Sequence, residues 1–151
     1  MKMFGSHISK SESETIQIAM NFAKLLLPGD IVALIGPLGS GKTLFIQAVC
    51  KYFKVEEIVT SPTFTIMNQY SGYIANNEFN LIHIDLYRIK NQEELIELGF
   101  NELLETPNSI FLVEWADKVI DLLSPPYYIV EFKNVEENEN HRILFISRIE
   151  S

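Results

Sequence analysis

Cysteine and long apolar runs are scarce in this 151-residue chain. The single cysteine, Cys50, has no partner for an internal disulfide or a Cys-x-x-Cys metal or redox pair. We therefore expect Cys50 to be a small buried apolar residue in a reducing compartment. The first ten residues lack the pattern of a signal peptide, and no apolar run approaches the roughly 18 residues of a membrane helix. These absences predict a soluble, cytoplasmic protein.

Positive charge is also scarce. Lysine and arginine total 12 against 20 aspartates and glutamates, a formal net charge of −8. Because such a chain is repelled by phosphate backbones, binding of nucleic acid by this chain alone is disfavoured. The three arginines, Arg88, Arg142 and Arg148, are also fewer than small-molecule kinases use to clamp an anionic second substrate. A kinase is therefore a minor alternative.

Hydrophobic periodicity predicts one α/β domain over residues 1–151, with a mixed, mostly parallel sheet flanked by helices. A capping pair, Ser11 and Glu14, opens the first predicted helix. Its apolar face is predicted to contain Ile16, Ala19, Met20, Ala23, Leu26 and Leu27. A later helix opens at Asn91 and is predicted to carry Leu95, Leu98, Leu103 and Leu104.

Further strands are predicted in pairs along the chain. A hairpin has arms near residues 64–70 and 79–84, with its turn near Asn76 and Asn77. Strands near 127–132 and 142–147 flank an acidic loop over 135–140. These hairpins make the predicted sheet mixed rather than purely parallel.

The strongest chemical signal is GPLGSGKT at residues 36–43, which satisfies G-x-x-x-x-G-K-[ST] between a buried strand and a helix. Glycines let the backbone wrap closely around a phosphate, to which successive N–H groups point. Pro37 has no N–H, so the donors should begin at Leu38. Lys42 would face the β- and γ-phosphates, and the Thr43 hydroxyl would ligate Mg²⁺. A glycine-rich turn with a fortuitous lysine is the weaker alternative.

Two apolar strands end in carboxylates, Asp85 and Glu114, and such ends carry the ligand sites of open α/β sheets. A P-loop enzyme needs one such acid to organise Mg²⁺, but the sequence spacing does not show which of the two does so.

Two further residues each have two interpretations. His83 is either a packed core histidine or a base, and Trp115 either stacks on a nucleotide base or belongs to the core. The hydroxyl-rich residues 61–65 fit both a phosphate-sensing segment and a plain turn. No [NT]-K-x-D motif for reading guanine is present, which favours ATP.

Taken together, five segments resemble the bacterial TsaE-type P-loop ATPases of the tRNA threonylcarbamoyladenosine system. They are GPLGSGKT at 36–43, SPTFT at 61–65, HIDLYR at 83–88, EEL at 93–95 followed by LG at 98–99, and LVEW at 112–115. The resemblance runs in the family's order from about Ser11 to Arg142. It implies a P-loop fold, ATP and Mg²⁺ as ligands, slow hydrolysis by the chain alone, and docking on a TsaD-type transferase with its TsaB-type companion. Contact with tRNA would belong to that complex.

The resemblance also implies roles for individual residues. The phosphates would be bound by Leu38, Gly39, Ser40, Gly41, Lys42 and Thr43. Thr43 and Glu114 would hold Mg²⁺, and Asp85 would polarise water or support the metal. Trp115, Glu12 and Arg142 match positions that approach the nucleotide. Lys42, Asp85 and Glu114 are thus the expected catalytic residues, while a nucleotide-gated binding module with incidental hydrolysis remains the alternative.

Overall fold

Seven strands form one sheet in the computed structural model, which describes residues 2–59 and 66–151. In chain order the strands are β1 (Gly5–Ser9), β2 (Ile31–Ile35), β3 (Met67–Ile74), β4 (Asn77–Asp85), β5 (Ser109–Glu114), β6 (Tyr127–Val135) and β7 (Asn138–Ile149). The helices are α1 (Glu12–Ala23), α2 (Lys42–Tyr52), α3 (Gln92–Glu97) and α4 (Phe100–Leu103), followed by short 3-10 turns at Ala116–Lys118 and Ile120–Leu122. The predicted segment 61–65 lies outside the described residues.

The sheet has the order β1-β7-β6-β2-β5-β4-β3. Its four central strands, β6, β2, β5 and β4, run parallel, and antiparallel strands lie at both edges. One face packs against α1 and α2, and the other packs against α3, α4 and the 3-10 turns. The predicted mixed, mostly parallel α/β sheet is confirmed. Within the described residues, no helix is long and apolar enough to cross a membrane.

The buried face of α1 differs from the prediction. Ile16 and Met20 are only partly buried, and Leu27 lies beyond the helix with 62% of its surface exposed. The side chains that α1 buries are Thr15, Ile18, Ala19, Phe22 and Ala23. Phe22 fixes this rotation because its ring packs edge-on against Tyr128 at 5.3 Å. Burying the large aromatic outweighs burying either aliphatic side chain.

Three boundaries also differ. The helix predicted from Asn91 is two short helices, because Gly99 adopts a left-handed conformation (φ 83°) between α3 and α4. The predicted acidic loop over 135–140 is a two-residue turn, and β6 and β7 pair up to Val135 and Asn138. In the β3–β4 hairpin the turn is one residue earlier than predicted, between Ile74 and Asn77. Cys50 is buried in α2, as expected.

Candidate functional site

The loop of residues 36–41 joins β2 to α2, so the predicted strand–loop–helix arrangement is present. Gly39 and Gly41 have left-handed backbones (φ 75° and 104°), and no described atom lies within 4 Å of where their Cβ atoms would be. A Cβ on Gly36, by contrast, would lie 2.8 Å from the Cβ of Phe132 on β6. The glycines therefore serve two purposes. Gly36 permits packing on the sheet, and the later two leave the loop backbone open to a ligand.

Lys42 is the first residue of α2, and only 5% of its surface is exposed. Its Nζ donates a hydrogen bond to the Gly36 carbonyl and lies 3.7 Å from the centroid of the Trp115 ring. Burial lowers the pKa of Lys42, while the negative charges of Glu114, Asp85 and Asp117 oppose that shift. Lys42 thus lies between the loop and the predicted acids.

Asp85 and Glu114 are register partners at the ends of the neighbouring parallel strands β4 and β5. Glu114 is buried, with 3% of its surface exposed, whereas Asp85 is partly buried. Burial raises the pKa of Asp85, the hydrogen bond from the Tyr87 N–H opposes this at 3.0 Å, and the charge of Glu114 adds to it. The structure therefore brings both candidate carboxylates to one edge of the sheet, beside Lys42.

The remaining predicted site residues of this region, Leu38, Ser40 and Thr43, differ in their exposure. Leu38 is exposed, and Ser40 is buried with its Oγ lacking a hydrogen-bond partner among the described residues. Thr43 lies exposed in the first turn of α2. The described residues contain no group of three His, Cys, Asp or Glu side chains that could hold a metal. Mg²⁺ is usually held by one or two protein ligands together with phosphate oxygens, and the donor set of Thr43 and Glu114 fits that mode.

Glu12 and Arg142 lie together on the other side of the loop. They line a cleft of about 510 Å³ that also includes Gly39, Gly41 and Leu44. The Arg142 guanidinium donates to the Gly39 carbonyl at 3.2 Å, and to the carbonyl of His141 at 2.9 Å. β7 is thereby joined to the loop of residues 36–41, and neither Asp85 nor Glu114 lines the cleft.

A sequence model described as "Threonylcarbamoyl adenosine biosynthesis protein TsaE" matches residues 9–144. The chain belongs to the TsaE family. A TsaE relative from Rickettsia conorii is 40% identical over 134 residues, covering 88% of this chain and 73% of the relative. One from Aquifex aeolicus is 34% identical over 143 residues, covering 92% and 94%. The crystal structure of Bacillus subtilis YdiB superposes with a TM-score of 0.72 and 26% identity, covering 94% of this chain and 84% of that one.

In this TsaE-family chain, sequence reasoning missed the partner of His83 and the contacts of Lys118. His83 lies on β4, and its Nε2 is 2.6 Å from Glu114 Oε2, with both side chains buried. Lys118 donates from Nζ to the carbonyls of Leu86, Tyr87 and Ile89, each at 2.9 Å. No local pattern could have indicated the Lys118 contacts, because its partners lie about 30 residues earlier. His83 is thus a buried, hydrogen-bonded histidine, one of its two predicted alternatives.

The ring of Trp115 lies near the ammonium groups of Lys42 and Lys118. Trp115 follows Glu114 with a left-handed backbone (φ 59°), which turns its ring toward Lys42. The Tyr87 ring lies 5.2 Å away between centroids, and Lys118 Nζ lies 6.0 Å from the Trp115 centroid. Trp115 is partly buried, so it is placed at the site rather than deep in the core.

Proposed function

We propose that this chain is a Mg²⁺-dependent ATPase that supports threonylcarbamoyladenosine modification of tRNA. The observation that carries the proposal is that Lys42, at the end of the glycine-rich loop, lies 3.7 Å from the ring of Trp115, the residue that follows Glu114. Glu114 in turn pairs in register with Asp85, and Lys42 interacts electrostatically with both acids. Membership of the TsaE family supports the link to tRNA modification. Hydrolysis of ATP would then allow the transferase complex to act over many turnovers.

The chain's own residues divide the work in this proposal. Backbone N–H groups from Leu38 to Thr43 bind the phosphates, and Lys42 places its positive charge on them. Thr43 and Glu114 hold Mg²⁺, which when bound neutralises charge on the phosphate oxygens. Asp85 orients water for attack on the γ-phosphorus, and partial burial raises the pKa of its carboxyl group.

The nucleoside end of ATP occupies the cleft beside Glu12 and Arg142 in this proposal. The cleft begins at the phosphate loop itself, since Gly39 and Gly41 line it, and its volume of about 510 Å³ is in the range of small-ligand sites. Glu12 lies in the first turn of α1 and supplies an acceptor. Trp115, on the opposite side of Lys42, contacts the phosphate end.

The partners in this proposal are TsaD-type and TsaB-type subunits, with tRNA contacted through them. The net charge of −8 supports the second point, since an acidic chain gains little from a phosphate backbone. With three arginines in the whole chain, we expect a partner to supply the arginine that stabilises transition-state charge. Hydrolysis by the chain alone is therefore expected to be slow. We expect the protein to act in the cytoplasm, where tRNA modification occurs.

The test measures phosphate release from Mg·ATP by the chain alone and with TsaB- and TsaD-type partners. We expect strong stimulation that is lost in Lys42→Ala and in Glu114→Gln. Glu78→Gln is the matched control, because Glu78 is an exposed acid at the far end of β4. The same mixtures are assayed for partner binding and for modified tRNA over many turnovers.

Two outcomes would contradict the proposal. Multiple turnovers of modification by Glu114→Gln and Asp85→Ala, without hydrolysis, would indicate a nucleotide-gated binding module. Transfer of labelled phosphate to a metabolite instead of to water would indicate a small-molecule kinase.

A further inference from the structure

A buried histidine and a buried glutamate are in direct contact beneath the phosphate loop. His83 has 1% of its surface exposed and Glu114 has 3%. Their Nε2 and Oε2 atoms are 2.6 Å apart. The contact is built by the sheet, because His83 pairs in register with Leu112, two residues before Glu114 on the neighbouring parallel strand. Residues two apart on a strand lie on the same face, so both side chains are on the side that carries α2.

We propose that His83 is a positioning residue that fixes the orientation of the Glu114 carboxylate for metal binding. This inference rests on the proposed function, in which Glu114 is a Mg²⁺ ligand. An ionised carboxylate only accepts hydrogen bonds, so the proton of the contact resides on Nε2. The bond engages Oε2, so Oε1 would be the oxygen that ligates the metal. Such outer contacts orient metal-binding carboxylates and strengthen the site.

The polar capacity of His83 is directed at Glu114 alone. Its second ring nitrogen, Nδ1, is buried and has no hydrogen-bond partner among the described residues. A histidine that links two segments of the core would form hydrogen bonds through both of its ring nitrogens. The hydrogen bond that His83 makes through Nε2 is therefore committed to the Glu114 carboxylate.

Glu114 has two different kinds of interaction, an electrostatic one with Lys42 and a hydrogen bond with His83. Lys42 interacts with Glu114 by charge, whereas His83 makes a hydrogen bond to one oxygen of the carboxylate. Without it, the buried Oε2 loses a donor and the carboxylate is free to rotate about its last torsion. The charge of Lys42 does not define which oxygen faces the metal.

Three substitutions separate positioning from packing. His83→Leu keeps the volume but removes the donor. His83→Gln places an amide N–H close to the position of Nε2, whereas His83→Asn carries the same amide one methylene shorter and does not reach Oε2. The last two form a matched pair, equally polar and differing only in reach.

The experiment uses the full chain with Mn²⁺ as the probe, in the presence of ADP, and measures metal affinity by electron paramagnetic resonance. Labelled ADP in EDTA reports nucleotide binding without metal, and thermal unfolding reports folding. We expect His83→Leu and His83→Asn to bind Mn²⁺ about 10-fold to 100-fold more weakly than wild type. His83→Gln should remain within about 3-fold, with the affinity for ADP in EDTA unchanged in every variant.

The outcomes separate this inference from the function on which it rests. Equal Mn²⁺ affinity in wild type and folded His83→Leu overturns the inference alone. If His83→Leu does not fold, the matched pair decides, and equal affinities of the Gln and Asn variants overturn it. A third outcome would overturn the proposed function and this inference together. It is that the wild-type chain binds Mn²⁺ and ADP no better than the Lys42→Ala variant does.

Discussion

The ammonium of Lys42 lies 3.7 Å from the centroid of the Trp115 ring, within the range of a cation–π contact. The two residues come from different elements, the start of α2 and the turn after β5. Trp115 is also the only tryptophan in the chain, so its emission reports on this one position. The contact therefore joins the start of α2, at the end of the glycine-rich loop, to the residue after Glu114 and offers a direct optical measurement.

We predict that Mg·ATP changes the emission of Trp115, because a phosphate that attracts Lys42 weakens its contact with the ring. Lys42→Met should shift the emission before any nucleotide is added and should weaken nucleotide binding by about 10-fold or more. Fluorescence titration measures both. Lys51→Met is the control, since Lys51 is an exposed lysine in the last turn of the same helix. Unchanged emission in unliganded Lys42→Met would contradict the contact.

Lys118 should stabilise the protein through the segment that follows Asp85. Its three carbonyl acceptors belong to residues 86, 87 and 89, so one ammonium ties this segment to the turn after Trp115. Charged hydrogen bonds contribute about 1.5–3 kcal/mol each when buried. Two of these three are partly buried, and the bond to the Tyr87 carbonyl is exposed. We expect Lys118→Met to lower the free energy of unfolding by about 2 kcal/mol, measured in urea.

The control for Lys118 is Lys133→Met. Lys133 is exposed and contacts Glu131 at 3.7 Å, a surface pair worth about 0–1 kcal/mol. Equal stabilities of the two variants would show that the carbonyl contacts contribute nothing measurable.

Local features of the fold were predictable from sequence, because their partners are near in the chain. Ser11 accepts from the Glu14 N–H at 3.1 Å, and Asn91 accepts from the Glu94 N–H at 2.9 Å, as residues three apart at a helix start require. The phosphate loop is equally local. The eight residues 36–43, with the apolar strand before them and the helix after them, are enough to predict this loop from sequence.

The arrangement of the site was predictable only in part. Sequence placed Asp85 and Glu114 at strand ends, but the contact between His83 and Glu114 joins residues 31 positions apart. It depends on the register of β4 against β5, which hydrophobic pattern alone does not set for strands buried on both faces. The prediction of the buried face of α1 was wrong for a related reason. That face is set by the packing of Phe22 against Tyr128, which lies on a strand distant in sequence.

Arg142 is predicted to support nucleotide binding through the loop backbone. Its planar guanidinium reaches the Gly39 carbonyl and the His141 carbonyl at once, which a lysine cannot reproduce. Arg142→Lys keeps the charge and should weaken binding of ADP in EDTA by about 3-fold to 10-fold, measured by equilibrium dialysis. Arg148→Lys on the same strand is the control, because Arg148 lies over the Tyr128 ring and does not line the cleft. An equal loss in both variants would contradict a role specific to the loop.

Cys50 should make the protein less stable in alkaline solution. Burial raises the pKa of its thiol from 9.0 to about 12 in the folded chain, with a smaller contribution from Glu57. Above about pH 9 the unfolded chain therefore loses the thiol proton while the folded chain keeps it, and the free energy of unfolding falls as pH rises. The fall approaches about 1.4 kcal/mol per pH unit and ends when the folded thiol also ionises.

Urea unfolding at about pH 8 and about pH 10.5 tests this, with Cys50→Ala as the comparison. The alanine variant should be less stable than wild type at about pH 8, because a buried sulfur is lost, but it lacks this titration. Wild type should therefore lose about 2 kcal/mol more than Cys50→Ala between the two conditions. Since every other titrating group is common to both chains, parallel losses would show that the thiol ionises in the folded protein as readily as in the unfolded one.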